Sequence, residues 1–181
     1  MKDQKINLNY ILWGCIIVLF TWLLHEFSHW VVSEILGYDT TLRLNATSPV
    51  QGSYKQTEDH ILISIAGPII TIFQAVLAYI LLKPQWNKAL YLLLFTPFYM
   101  RALAGFMNFI NLNDEGRISA YLAIGTFTLP VLVSVFLFYL VYRASAKSNL
   151  GWKFQLGTTL IVMFFSSILI LADQVFKITL I

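Results

Sequence analysis

Residues 21–32 read "TWLLHEFSHWVV", placing His25, Glu26 and His29 in a run that is otherwise mostly Leu, Trp, Phe and Val. A solvated helix carries such side chains freely, whereas an apolar span carries them at a cost. An Asp at the centre of a membrane span costs about 2.5–3.5 kcal/mol on an insertion scale. Ionisable groups at that depth therefore read as functional. The rest of the chain has the composition of a membrane protein. Of its 181 residues, 58% are hydrophobic and 12% charged, and mean hydropathy is +0.72. Soluble domains are about half apolar and about a quarter charged. The length allows one membrane-embedded domain, with no room for a sizeable soluble module, and no nucleic-acid partner is expected.

Five apolar stretches are long enough to cross a hydrocarbon core, which takes about 20 helical residues. They run roughly over 7–36, 60–82, 88–110, 118–142 and 153–176. The expected fold is an all-α polytopic membrane protein of about five transmembrane helices. The first stretch is longer than a bilayer needs, so it must tilt or protrude. It lacks a small-residue cleavage site and reads as a retained span. Cys15, the only cysteine, lies within it and reads as a packing residue. The loop "YDTTLRLNATSPVQGSYK" (38–55) differs from the other connections. Its partial alternation and its "SP" and "QG" turn signals predict a short extended segment or β-hairpin after the first span. It also holds the triplet Asn45-Ala46-Thr47, a glycosylation pattern common by chance.

The two sides of the chain differ in basic residues. Lys2, Lys5, Lys83, Lys88, Arg143, Lys147 and Lys153 belong to one side; Arg43, Lys55, Arg117 and Lys177 belong to the other. The positive-inside rule then puts the N-terminus in the cytoplasm. The expected location is the plasma membrane of a prokaryote.

His25-Glu26-Phe27-Ser28-His29 is an H-E-x-x-H pattern. Residues i and i+4 share a helix face, so both imidazoles can bind one metal ion while the Glu serves as general base. A catalytic zinc site of this kind takes three protein ligands and a water. Candidates for the third are His60, Asp114, Glu115 and Asp173. The first and third spans run in the same direction, which brings the loop "MNFINLNDEGRIS" (107–119) to the side toward which the histidines are displaced. Asp114 and Glu115 lie in that loop. His60 reads as a solvated interfacial flank, and Asp173 as a helix-end carboxylate.

Three features together make the chain resemble the site-2 protease family of intramembrane zinc metalloproteases. They are "HEFSH" late in the first span, "AGP" (66–68) in the second, and an Asn-rich acidic loop before Gly116 after the third. Their order matches the family's three-helix core over residues 7–119, leaving the last two spans outside it. The loop reads Asn113-Asp114-Glu115-Gly116 where the family has Asp directly before Gly after an Asn-Pro-type segment. Asp114 thus matches by residue type and Glu115 by position. Thr71 stands where the family's second span often has Asn. The resemblance implies one Zn2+ per chain held by His25, His29 and Asp114, with Glu115 the alternative third ligand and Glu26 catalytic. It implies hydrolysis of peptide bonds in transmembrane or membrane-associated protein substrates, within the lipid bilayer. Gly67, Pro68 and Arg101 are expected to shape the site. Arg101 is deep in the third span and should face protein or water.

Two rival functions use the same residues. A catalytically silent metal-binding membrane protein would have no need of Glu26. A small metal or proton transporter would need polar residues spread across the bilayer depth, whereas these gather toward one side.

Overall fold

Three asparagines start helices in the computed structural model, which describes residues 3–181. Asn7 opens α1 (Leu8–Ile35), Asn87 opens α3 (Lys88–Met107) and Asn113 opens α4 (Asp114–Tyr121). Each side-chain oxygen accepts from backbone N–H groups that the first helical turn leaves unpaired. The remaining elements are strands β1 (Thr40–Leu42) and β2 (Thr47–Pro49), then α2 (Thr57–Leu82), α5 (Thr128–Ser148) and α6 (Trp152–Phe176). Five helices, all but α4, are long and apolar enough to cross a membrane. The expected fourth span starts ten residues too early. Residues 118–121 belong to the short α4, and a turn with Ala123 at φ 55° and Gly125 at φ 91° separates it from α5. Polar α4 lies across the end of the bundle, packed on α2 and α5.

The long helices are arranged with their polar residues inward. On α1, Thr21, His25, Glu26, His29 and Ser33 are buried while Leu12, Trp13, Ile16, Leu19, Phe20 and Phe27 are exposed. On α2 the buried stripe is Ser64, Gly67, Pro68, Thr71, Gln74, Ala75 and Ala78. Small side chains at this spacing let helix backbones approach closely. Each buried polar group then needs a partner within the bundle. Gln74 Nε2 donates to Thr21 Oγ1 at 2.8 Å and to the Leu93 carbonyl at 3.1 Å, joining α1, α2 and α3. Tyr10 Oη meets Thr158 Oγ1 at 2.7 Å, and Trp22 Nε1 donates to Ser166 Oγ at 3.3 Å, joining α1 to α6.

The loop after α1 does form the expected hairpin. β1 and β2 are antiparallel, with Leu42 opposite Thr47. The other edge of β1 is covered by the chain's own residues 180–181. Leu42 N donates to the Ile181 carbonyl at 3.0 Å and Leu180 N to the Leu42 carbonyl at 2.8 Å. Asp173, at the end of α6, is buried and paired. It is 3% exposed, and Arg43 reaches it from the hairpin at 2.9 Å. α6 extends to the level of the hairpin, so its last carboxylate is covered and paired.

Contacts such as Gln4–Asn149, Lys5–Lys88 and Lys83–Lys147 gather the connections at one end of the bundle. The hairpin and α4 occupy the other end. In a Cys15→Ala background, Ser53→Cys and Ala146→Cys, both at exposed positions, should react with an impermeant thiol reagent from opposite faces of sealed vesicles. Labelling of both from one face would refute this arrangement.

Candidate metal centre

The site begins with helical spacing. His25 and His29 are one turn apart on the buried face of α1, and α2 passes against them at Gly67. A methyl group on Gly67 would overlap His25 Cε1 and Nδ1 and His29 Nε2. Only a residue without Cβ leaves room for both rings. Pro68 follows it, lacks an N–H, and leaves the Ser64 carbonyl without its usual intrahelical donor.

Asp114, in the first turn of α4, closes the site from the third side. His25 Nε2 and His29 Nε2 are 3.1 Å apart. Asp114 Oδ2 lies 3.2 Å from the first and 3.4 Å from the second. An ion with four tetrahedral ligands at about 2.0–2.2 Å has ligand–ligand edges of about 3.3–3.6 Å. The observed edges, 3.1, 3.2 and 3.4 Å, lie at or slightly below that size. This trio could hold a metal ion.

The surroundings orient each member. His29 Nδ1 lies 2.6 Å from the Ile63 carbonyl, an acceptor, so that nitrogen carries the ring proton and Nε2 is left with a lone pair. His25 Nδ1 is buried without a hydrogen-bond partner. Arg117, one turn along α4, takes the other Asp114 oxygen, Oδ1, and anchors its own Nε on Ser64 Oγ at 3.0 Å. The Asp114 carboxylate is thus divided, one oxygen fixed by Arg117 and the other turned to the imidazoles. Burial alone would raise the Asp114 pKa, but His29 and His25 beside it hold the carboxyl well below its usual range. Asn113 caps α4 by accepting from Gly116 N at 2.6 Å, and Asn108 accepts from Asn113 N at 3.0 Å. Asn108 also fills the space a side chain at 116 would need.

Glu26 is 7% exposed and lies outside the triangle. Thr47 on β2 holds it, with Oγ1 3.0 Å from the Glu26 carbonyl oxygen and 3.2 Å from Oε2. A polar cavity of about 250 Å³ reaches all four groups and is bordered by Ala46, Tyr54 and His60. A second cavity, about 730 Å³, meets His25 and Glu26 from the opposite side, between α1, α3 and α6. Its wall includes Trp22, Asn45, Met100, Leu103 and Ile170, with Arg101 beside His25.

The other candidates fall into distinct places. Glu115, adjacent to Asp114, turns away from the triangle toward Arg101, whose Nη1 lies 3.3 Å from its Oε1. Arg101 is an ion-pair partner, 3% exposed. His60 borders the polar cavity but is not one of the converging ligands, and Asp173 belongs to the Arg43 pair. Thr47, Ile63, Asn108 and Arg117 are contributors the sequence reading missed. Of these only Arg117 carried a signal, its i+3 spacing from Asp114. Comparison with known proteins gives no match to a family model, a curated protein or a solved structure.

His25→Ala, His29→Ala and Asp114→Ala should each lose bound metal, as measured by elemental analysis of purified protein. Gly67→Ala should weaken binding by at least about tenfold through displaced rings, the scale of effect seen when ligand support is lost. Full metal content in the Asp114 variant would remove that residue from the ligand set.

Proposed function

We propose that this chain is an intramembrane zinc metalloprotease of the site-2 type, cleaving peptide bonds of membrane-embedded proteins. The observation that carries the reading is the division of labour within the H-E-x-x-H turn. The two histidines converge with Asp114, while the intervening Glu26 stays off the triangle and borders the same cavity. A merely structural metal site needs no such carboxylate. Zinc, when bound, supplies Lewis acidity that polarises a carbonyl and makes water a stronger acid. The donor set, two neutral imidazoles and one carboxylate, suits that ion.

The chain's own groups would divide the remaining work. Glu26 takes a proton from water in the cavity and returns it to the leaving amine. Thr47 fixes the Glu26 side chain from the hairpin. A substrate helix has its carbonyls engaged in its own hydrogen bonds, so cleavage requires an unwound segment. The hairpin offers a place for one. Bonded pairs at Arg43–Ala46 and Asp39–Val50 mean, by strand alternation, that the Thr47 N–H and C=O point away from β1. Among the described residues no backbone group bonds to that edge of β2, whereas the far edge of β1 is covered by residues 180–181. An extended substrate segment would add at Thr47, beside Glu26. The charge distribution supports a cytoplasmic N-terminus and a site displaced toward the opposite face.

Glu26→Gln should retain zinc and lose cleavage of a reconstituted transmembrane substrate by about 10²- to 10⁴-fold, the scale of general acid–base catalysis. Metal analysis and gel-based cleavage on the same preparation check both halves. Undiminished proteolysis by this variant would end the protease reading.

A further inference from the structure

Arg101 is a positive charge in a place that disfavours cations. Its side chain is 3% exposed, and its Nη2 lies 3.4 Å from His25 Nε2, one of the converging ligand atoms. Its Nη1 lies 3.4 Å from Asp114 Oδ2, another of them. A dication held by those atoms would sit within a few ångströms of the guanidinium. In a buried setting, like charges so close repel far more strongly than they would in water.

Glu115 supplies what the arrangement lacks. Its two oxygens lie 3.3 and 3.4 Å from Arg101 Nη1, and its side chain is also 3% exposed. Arg101 is its partner in each of its side-chain hydrogen bonds among the described residues. We infer that Glu115 is the counter-charge that makes the Arg101 guanidinium compatible with a metal ion at His25, His29 and Asp114. In this assignment Glu115 is a positioning residue, and its adjacency to Asp114 has a purpose. One acidic side chain of the α4 first turn faces the metal and the next neutralises the arginine behind it. The pair leaves the region's net charge unchanged and braces Asp114 Oδ2 from the α3 side. This inference rests on reading the triangle as a metal site.

The test is a Co2+ titration of purified full-length protein, followed by visible absorption. The chains are wild type, Glu115→Gln, Arg101→Met and the double variant. Glu115→Gln leaves the guanidinium uncompensated and should bind Co2+ at least about tenfold more weakly, the scale of lost ligand support. Its saturated spectrum should match wild type, because the ligand set is intact. Adding Arg101→Met should restore affinity to within about threefold of wild type, since coupled neighbours are non-additive. Arg101→Met alone should bind no more weakly than wild type. A purely structural role for the arginine predicts the opposite sign. An altered spectrum in Glu115→Gln, a double variant as weak as Glu115→Gln, or tenfold weaker binding in Arg101→Met would each overturn the assignment. Should Glu115→Gln fail to fold, Arg101→Met decides by the same criterion. Wild type that binds no Co2+ would instead reject the metal site itself.

Discussion

The approach of α2 to α1 at Gly67 is the constraint from which the site's geometry follows. Two imidazoles one turn apart on a helix face need depth in front of them, and a packed neighbouring helix normally fills that depth with side chains. Here α2 presents the one residue with no Cβ at the point of contact. The same segment then does more than make room. Its Ile63 carbonyl fixes the His29 ring, and its Ser64 hydroxyl receives Arg117, which fixes Asp114. The placement of α2 therefore sets two of the three converging side chains. Thr71, a turn further along, is buried with its hydroxyl bonded back to the Gly67 and Pro68 carbonyls at 3.0 Å, so it needs no partner from another helix.

Charge balance is the second condition. Apolar surroundings make an unpaired ion costly, and removal of one partner from a buried pair is typically far worse than removal of both. The ionisable groups at this end of the bundle obey that rule through short connections. Arg101 meets Glu115, Arg117 meets Asp114, and Arg43 meets Asp173. Among the buried carboxylates of the described residues Glu26 is the exception: it receives a neutral hydroxyl from Thr47 and has no salt-bridge partner. A carboxylate left without a permanent counter-ion beside a polar cavity is one whose proton affinity is open to its surroundings. That property suits a group that must both accept and release a proton.

The helices and the metal pair were legible in the sequence because each is a local pattern. Apolar runs of the required length gave the five long helices, and i, i+4 spacing put His25 and His29 on one face. The alternation and turn residues of 38–55 gave the hairpin. What could not be read is long-range. The start of α5 was placed too early because 118–127 is nearly as apolar as a span, and only the positive φ values at Ala123 and Gly125 reveal the turn. Asp173 reads only as a helix-end carboxylate because its partner Arg43 lies 130 residues away. The choice between Asp114 and Glu115 turned on the direction in which a helix's first turn faces, which adjacency alone leaves open. The Ile63 carbonyl has no residue-type signature at all, since any amino acid supplies one.

The distribution of polarity along the bundle bears on what kind of machine this is. At the hairpin end, both cavities touch His25 and Glu26. At the opposite end, Tyr10, Trp86, Tyr91 and Phe154 form an aromatic cluster with centroid separations of 5.3–6.1 Å. Away from the hairpin end, the buried polar side chains are mostly small and neutral, and several are joined to one another: Thr21 with Gln74, Tyr10 with Thr158, Tyr91 with Ser145. A path for ions or protons needs groups that exchange partners along its whole length. Here the buried ionisable groups gather around the His25–His29–Asp114 triangle, and neutral hydrogen-bonded side chains and packed rings lie beyond it. This one-ended polarity supports the proposed hydrolytic reading over a conducting one.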